Sequence, residues 1–222
     1  MADKKKPPVA SKKPSQNGPP PILAPSRIKI ISMGSGGSGK SCLIKRYCED
    51  RFVAKYIATI GVDYGGLLFR VLLFPTKYHF LLVYYLFIVK PVKIDGVDVR
   101  VNFWDLSGHP EFFEIRNEFY KDSQGCILVY DTSSIESYEE CDTWLSEAAK
   151  FGANPREMPI ALCANKIDKQ KRAVSEDEGR QFALSRGLIY FELSASTGQN
   201  VHDMFEQLFS VVLKKAGISN GG

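Results

Sequence analysis

Short apolar runs and helix-like repeats alternate along most of the chain. Most runs are unbroken, as expected for strands covered on both faces, while residues 97–103 alternate apolar with polar positions. An Asp95-Gly96 turn signal pairs this strand with 92–94 as a hairpin. The pattern predicts an α/β fold, a mainly parallel six-stranded sheet with one antiparallel strand and helices on both faces. The predicted strands are 27–33, 92–94, 97–103, 126–130, 160–164 and 189–193, and the predicted helices 40–48, 135–151, 175–186 and 201–215.

The first 26 residues differ in composition from the rest of the chain. They contain seven of the 12 prolines, five lysines and one acidic residue, a net charge of +4. Because the whole chain also carries +4, residues 27–222 are neutral on balance, which argues against nucleic-acid binding by the folded part. So few apolar residues cannot offset the entropy lost on ordering, and we predict a disordered basic tail. A weak contact of this tail with an acidic membrane or protein surface is the alternative.

Residues 66–89 are unusually apolar, since 18 of the 24 are Leu, Ile, Val, Phe or Tyr. The longest stretch without Lys, Arg or Pro is 78–89, twelve residues, whereas a helix that crosses a bilayer needs roughly 20. We therefore expect no membrane span here, and membrane contact through residues 66–88 is left open.

The cysteines and the chain ends indicate the compartment. The five cysteines are an odd number without metal-site spacing, and no signal peptide opens the chain, so we predict a cytoplasmic protein with free thiols. Position 2 is Ala and the chain ends in Gly221-Gly222, so no lipid anchor is evident. Peripheral membrane attachment and a nuclear location are left open.

A glycine-rich sequence follows the first predicted strand and precedes the first predicted helix. It reads GSGGSGKS over residues 34–41 and matches the GxxxxGK[ST] pattern of a phosphate-binding loop. Its glycines let backbone N–H groups converge on a polyphosphate, and the helix N-terminus favours the negative charge. Lys40 would reach the β- and γ-phosphates, and the Ser41 hydroxyl would bind Mg²⁺. The predicted phosphate-binding residues are Gly34, Gly36, Gly37, Ser38, Gly39, Lys40, Ser41 and Cys42.

A second motif, NKID at residues 165–168, lies at the end of the fifth predicted strand and indicates which base is bound. Its aspartate can accept hydrogen bonds from N1–H and the 2-amino group of guanine, and a buried aspartate would be left unpaired against adenine. After the sixth strand, a backbone N–H of residues 194–196 could reach guanine O6. Alone the motif is weak evidence; with the phosphate-binding loop it predicts a guanine-nucleotide site. The predicted base-binding residues are Asn165, Lys166, Asp168, Ser194, Ala195 and Ser196.

With these two motifs and the strings RYCEDRF, GHPEFF and RNEFYKD, the chain resembles the Ras superfamily of small GTPases. Within it the chain is similar to the Rab-like branch, and in particular to the atypical Rab-like proteins that in some members carry a J domain. No His-Pro-Asp sequence occurs, so a J domain is not expected. The resemblance implies a P-loop small-GTPase fold that binds GTP or GDP with Mg²⁺ and acts as a molecular switch in signalling or vesicle trafficking.

The resemblance also implies roles for residues outside the two motifs. Thr59 corresponds to the threonine that binds Mg²⁺ and the γ-phosphate, and Asp105 to the aspartate that holds Mg²⁺ through water. Phe52 corresponds to the aromatic residue that packs against guanine, and the Gly108 N–H to a contact with the γ-phosphate. The implied metal ligands are Ser41, Thr59 and Asp105, and the implied catalytic residues are Lys40, Gly108 and His109.

Partner proteins are implied at two segments, switch I (residues 59–64) and switch II (residues 108–120). Effectors, exchange factors and GTPase-activating proteins would contact these segments. Tyr64, Trp104 and Tyr120 fall at the positions of an aromatic triad that Rab-like proteins use for effectors. Ordinary packing of these rings is the alternative.

His109 departs from the family pattern, in which a glutamine orients the attacking water. Because phosphoryl transfer in this class depends on positioning and charge stabilisation, loss of that amide predicts slow hydrolysis. Pro110 adds to the effect by restraining His109 to an extended backbone. A neutral replacement, or a histidine that orients water itself, is the alternative.

The apolar segment is the second departure. Joining Gly65 to Val89 would restore a family-like strand, so residues 66–88 form an insert at the start of that strand. We consider two origins, a non-coding segment retained in the gene model and an evolved membrane or partner element. The expected organisation is a tail over 1–26, a GTPase domain over 27–217 interrupted at 66–88, and a short tail over 218–222.

Two functions are consistent with the sequence. The first is a guanine-nucleotide switch that hydrolyses GTP, slowly because of His109, and signals through effectors. The alternative is a GTP-binding interaction protein with negligible turnover.

Overall fold

The computed structural model describes residues 26–52, 54, 69–75 and 80–218, and for 69–75 and 80–88 the strands and their pairing alone. Seven strands of these residues form one sheet in the order β2-β3-β4-β1-β5-β6-β7. Five of them, β4, β1, β5, β6 and β7, are mutually parallel, and β3 runs antiparallel to its neighbours. The predicted α/β fold class is therefore confirmed. The strands are β1 (Ser26–Met33), β2 (Phe69–Pro75), β3 (Phe80–Ile94), β4 (Val97–Asp105), β5 (Gly125–Asp131), β6 (Ile160–Asn165) and β7 (Ile189–Leu193).

The helices lie between the strands, as the alternation predicts. The predicted helix 135–151 is present as two pieces that meet at Glu140, whose own backbone is helical. Short 3₁₀ turns at Pro110–Phe112 and Asn117–Phe119 flank the shortest helix. The helices are α1 (Lys40–Glu49), α2 (Phe113–Arg116), α3 (Ile135–Glu139), α4 (Cys141–Lys150), α5 (Glu176–Arg186) and α6 (Val201–Lys215).

Two hydrophobic cores lie on opposite faces of the sheet. Neighbouring residues of β1 point to different cores: Ile30 packs with α1 and α6, whereas Ile31 packs with α4. Every residue of β5 and of β6 is buried. Because side chains alternate across a strand and both faces are covered by helices, these strands have no polar residue before the last position, Asp131 in β5 and Asn165 in β6.

The hairpin predicted at Asp95-Gly96 is present and joins β3 to β4, with Ile94 opposite Val97. Both turn residues have positive φ, 49° at Asp95 and 83° at Gly96, as a two-residue hairpin turn requires. Residues 80–88 of the insert lengthen β3, and residues 69–75 add β2 at the edge of the sheet. The sheet thus has the six expected strands and a seventh from the insert.

The parallel strands bring the candidate site together. The strands β1, β4, β5 and β6 are parallel, so their carboxyl ends lie at the same end of the sheet. The segments that follow these strands in sequence are therefore neighbours in space. Ligand sites of open α/β sheets lie at this end.

Candidate functional site

The predicted phosphate-binding loop connects β1 to α1. Gly34, Gly37 and Gly39 have φ of 128°, 75° and 103°, a backbone region that residues with a side chain rarely adopt. The loop closes over the Lys40 side chain, whose ammonium donates hydrogen bonds to the carbonyl oxygens of Gly34 (2.6 Å) and Ser35 (3.0 Å). A cation is therefore buried under a loop of backbone amides at a helix N-terminus, which is a suitable environment for a polyphosphate.

The burial of Lys40 affects the pKa of its ammonium group. Burial lowers the pKa of Lys40 to about 8; the Asp105 carboxylate opposes this shift and Arg116 adds to it. Since burial disfavours the ammonium form, an anion placed beside it would be stabilised by the charge and would in turn favour that form.

Two of the three predicted metal ligands are in contact. Ser41 Oγ lies 2.5 Å from Asp105 Oδ2, and Ser32 Oγ donates to the other carboxylate oxygen at 2.7 Å. Hydroxyl and carboxylate oxygens are the donors that Mg²⁺ prefers, so the residues present fit this ion. Thr59, the third predicted ligand, lies outside the described residues. The sequence analysis missed Ser32, which holds Asp105 in place from the neighbouring strand β1, because its contact spans 73 positions of the chain.

The start of switch II packs directly on the phosphate-binding loop. A Cβ added at Gly108 would lie 2.5 Å from both the Gly34 oxygen and the Gly36 nitrogen, so the two backbones are in close contact. His109 has the extended backbone that Pro110 favours, with φ −84° and ψ 139°. Its imidazole lies beside Gly36, where a Cβ would be 3.2 Å from His109 Nε2.

The NKID motif connects the two halves of the site. Asn165 donates from Nδ2 to the Ser38 oxygen (2.8 Å), and its Oδ1 accepts from the Ala195 N–H (3.1 Å). One buried amide side chain therefore joins the phosphate-binding loop, the end of β6 and the loop after β7. Lys166 donates to the Gly37 oxygen at 2.6 Å.

Asp168 lies beside the loop after β7, where it accepts a hydrogen bond from Ser194 Oγ at 2.6 Å. It is exposed in the structure. The argument that a buried aspartate excludes adenine therefore holds only once a bound base covers this carboxylate.

Asp131 and Arg46 also belong to the site and were missed in the sequence analysis. Asp131, at the end of β5, accepts from Lys166 Nζ at 2.8 Å and from Lys169 Nζ at 3.0 Å. Burial opposes ionisation of Asp131, but hydrogen bonds from Lys166, Ser133 and Lys169 outweigh it and lower its pKa to about 2. Arg46 donates to the carbonyl oxygens of Ala195 (3.0 Å) and Ser196 (2.8 Å) and so anchors the loop after β7 to α1. A polar residue directly after an apolar strand was the available signal for Asp131.

Two further residues predicted to bind the nucleotide, Cys42 and Phe52, lie at the margin of the candidate site. Cys42 is half-buried in the first turn of α1, and burial raises the pKa of its thiol. Phe52 is 41% exposed beyond the end of α1, so in this structure it packs against little of the protein.

Two members of the predicted aromatic triad, Trp104 and Tyr120, lie among the described residues, and Tyr120 is not at the surface. Tyr120 is fully buried, and its hydroxyl donates to Glu147, which corresponds to the packing alternative rather than to a surface contact. Phe119, the preceding residue, stacks on Trp104 with ring centroids 5.1 Å apart. Tyr64 lies outside the described residues.

Within the described part of the chain, no helix combines the length and the apolar character that a membrane span requires.

Comparison with known proteins identifies the family of the chain. Residues 29–214 match the model of the Ras family. The chain is 46% identical over 200 residues to DnaJ homolog subfamily C member 27 of Gallus gallus, with 88% of this chain and 64% of that protein covered. It is 45% identical over 205 residues to DnaJ homolog subfamily C member 27-B of Xenopus laevis, with 89% and 65% covered. The chain thus spans slightly less than two thirds of the length of these relatives. The match over 29–214 includes both predicted motifs and the strands that position them, and the chain belongs to the Ras family.

Proposed function

We propose that this chain binds GTP and GDP with Mg²⁺, hydrolyses GTP slowly, and acts as a switch that effectors recognise. The observation that carries the proposal is the position of Asn165, whose amide contacts both the phosphate-binding loop and the loop predicted to contact guanine. Two loops predicted to recognise different parts of one nucleotide are thereby held in a single rigid site.

The residues at the phosphate end support nucleotide binding. Lys40 and the loop amides would hold the phosphates, and Ser41 and Asp105 would hold Mg²⁺. When bound, Mg²⁺ would neutralise charge on the phosphate oxygens. Gly108 and Gly36 are in backbone contact, so a change at the phosphate end would be transmitted directly to switch II.

His109 supports slow turnover. A neutral imidazole has one donor and one acceptor on different sides of a rigid ring, so it cannot accept from water and donate to phosphate from adjacent atoms as a glutamine amide does. The absence of that amide also favours the second candidate, a GTP-binding interaction protein with negligible turnover.

Partner binding is proposed at switch II. Phe113 is 36% exposed there, and its ring meets Phe151 edge-on with centroids 5.5 Å apart, so a partly apolar surface lies between switch II and the end of α4. Such a surface suits an effector that distinguishes the two nucleotide states. Regulation of signalling or vesicle trafficking through such effectors remains part of the proposal.

Nucleotide choice tests the proposal. We expect GTP and GDP to bind at least about 100-fold more tightly than ATP, because guanine alone can pair with Asp168. Asp168→Asn should remove at least about tenfold of that preference, while the matched change Asp177→Asn, on exposed α5, should leave it intact. Equal affinity for ATP and GTP in the native chain would overturn the proposal.

Turnover distinguishes the two candidates. Single-turnover release of phosphate from GTP should be measurable, should increase in His109→Gln and should fall in Thr59→Ala. Guanine-specific binding without phosphate release above the uncatalysed rate would favour the interaction protein.

A further inference from the structure

Arg116 connects switch II to α4. Its Nε and one terminal nitrogen donate to the two carboxylate oxygens of Glu147, on α4, at 2.5 and 2.8 Å. Its other terminal nitrogen donates to the main-chain oxygen of His109 at 2.8 Å. The planar guanidinium thus uses three donors on two groups 38 positions apart in the chain.

This contact is buried. The side chains of Arg116 and Glu147 are 6% and 9% exposed, and Tyr120 donates a further hydrogen bond to Glu147 at 2.6 Å. The guanidinium also lies over the Trp144 ring, 4.5 Å from its centroid. Separating paired charges in such a place is costly, because each would be left without an opposite charge away from water. The position of the guanidinium is therefore well defined.

The main-chain oxygen that accepts from Arg116 belongs to His109, the residue proposed to take part in hydrolysis. The His109 oxygen accepts from Arg116 and also from the Phe112 N–H at 3.2 Å. With its carbonyl held and its backbone extended, the His109 side chain projects to Gly36 in the phosphate-binding loop. A shift of this carbonyl would move the imidazole with it.

We propose that Arg116 is a positioning residue for hydrolysis, which holds the imidazole of His109 against the phosphate-binding loop by fixing its main-chain oxygen to α4. This inference rests on the proposed GTPase function. An arginine is required, since a lysine ammonium cannot make two parallel bonds to Glu147 and reach His109 at the same time.

The test compares Arg116→Lys with Arg186→Lys. Arg186 also makes a two-bond contact with a carboxylate of α4, Asp142, at 2.6 Å for each bond, but it lies outside the candidate site. We expect Arg116→Lys to lower the single-turnover rate about tenfold while GTP and GDP affinities change less than about twofold. Arg186→Lys should leave both unchanged. Equal rates for native protein and Arg116→Lys would overturn the proposal.

The same substitution made in a His109→Ala variant separates positioning from general destabilisation. In His109→Ala no imidazole remains to be positioned, so adding Arg116→Lys should leave the residual rate unchanged. If Arg116→Lys lowers the rate equally with and without the imidazole, Arg116 does not act through His109.

Amide hydrogen exchange gives a readout that is independent of turnover. Arg116→Lys should speed exchange across residues 109–113 and leave β5 unchanged. Faster exchange in a chain without any turnover would mean that the proposed GTPase function fails while the contact stands; unchanged exchange would overturn the contact itself. If Arg116→Lys does not fold, Arg116→Met with Glu147→Leu replaces the pair by apolar side chains, and the same rate and exchange changes are expected.

Discussion

Gly108 shows how a single residue couples switch II to the phosphate-binding loop. The atoms nearest to its missing Cβ, at 2.5 Å, belong to the backbone of Gly34, Ser35 and Gly36. Backbone atoms of a tight loop cannot move aside as a flexible side chain can, so any substitution must separate the two segments.

We therefore expect Gly108→Ala to reduce single-turnover GTP hydrolysis at least about tenfold, with a smaller loss of GDP affinity. The added methyl group would displace switch II, whereas the Asn165 contacts with Ser38 and Ala195 do not involve it. Phosphate release and fluorescent-nucleotide titration measure the two effects separately. An unchanged rate would show that this backbone contact does not serve hydrolysis.

Asp131 is the residue for which the structure predicts a pH effect. Its pKa of about 2 lies below the ordinary value of 3.8, so its ionised form stabilises the folded state. The unfolded chain binds the proton first as pH falls, and this stabilisation is present above about pH 4 and lost as pH falls toward 2.

Asp131→Asn should accordingly lower the free energy of unfolding by about 1 kcal/mol at pH 6, after allowance for solvent screening, and the difference from native protein should shrink below pH 4. Urea unfolding at several pH values measures it. Asp98→Asn, at an exposed position of β4, serves as the surface control, and a native-minus-variant difference that stays constant down to pH 2 would contradict the prediction.

At the scale of elements, α5 shows how local sequence determines a helix boundary. Ser175 caps the helix: its Oγ accepts from the Glu178 N–H at 3.2 Å, and the Glu178 carboxylate accepts from the Ser175 N–H at 2.7 Å. Gly187 ends it with φ 67°, in the left-handed region. Both signals lie within a few residues of the helix, so the capping box was visible in the sequence.

Ser175→Ala should lower the free energy of unfolding by about 1 kcal/mol, since an N–H of the first turn loses its acceptor. Ser185→Ala, on the exposed surface of the same helix, should change it by less than about 0.5 kcal/mol. Thermal and denaturant unfolding of the two variants provide the comparison, and equal effects would exclude capping as the cause.

At the scale of the whole molecule, the insert lengthens β3 and adds β2 at one side of the sheet, and this extension of β3 begins opposite the end of β4. From Val89 to Ile94, β3 pairs with β4 in register, and the register continues to Phe87, which is paired with Trp104. If Gly65 were joined to Val89, Tyr64 would occupy the register position of Phe87. The chain without residues 66–88 thus retains the strand and places an aromatic residue opposite Trp104.

Deletion of residues 66–88 should therefore preserve guanine-nucleotide affinity within about threefold. It should also reduce self-association, because it removes a segment rich in Leu, Phe and Tyr. Light scattering coupled to size exclusion, together with nucleotide titration, measures both. A deleted chain that no longer folds or binds GTP would show that the insert is an integral part of the sheet.

The sequence alone determined the features that depend on local pattern. Strand and helix order, the β3–β4 turn, the α5 capping box and the glycine-rich loop all follow from residues close together in the chain, where backbone preference and hydrophobic period operate. The family followed from the spacing of two short motifs.

The contacts between residues far apart in the chain depend on the tertiary structure. Asn165 reaches Ser38, Asp131 reaches Lys166, and Arg116 reaches Glu147 across 127, 35 and 31 positions. The tertiary structure also buried Tyr120 and placed Phe119 on Trp104 instead. No local pattern encodes such pairs, because a buried polar side chain finds its partner only when the strands and helices that carry both have packed together.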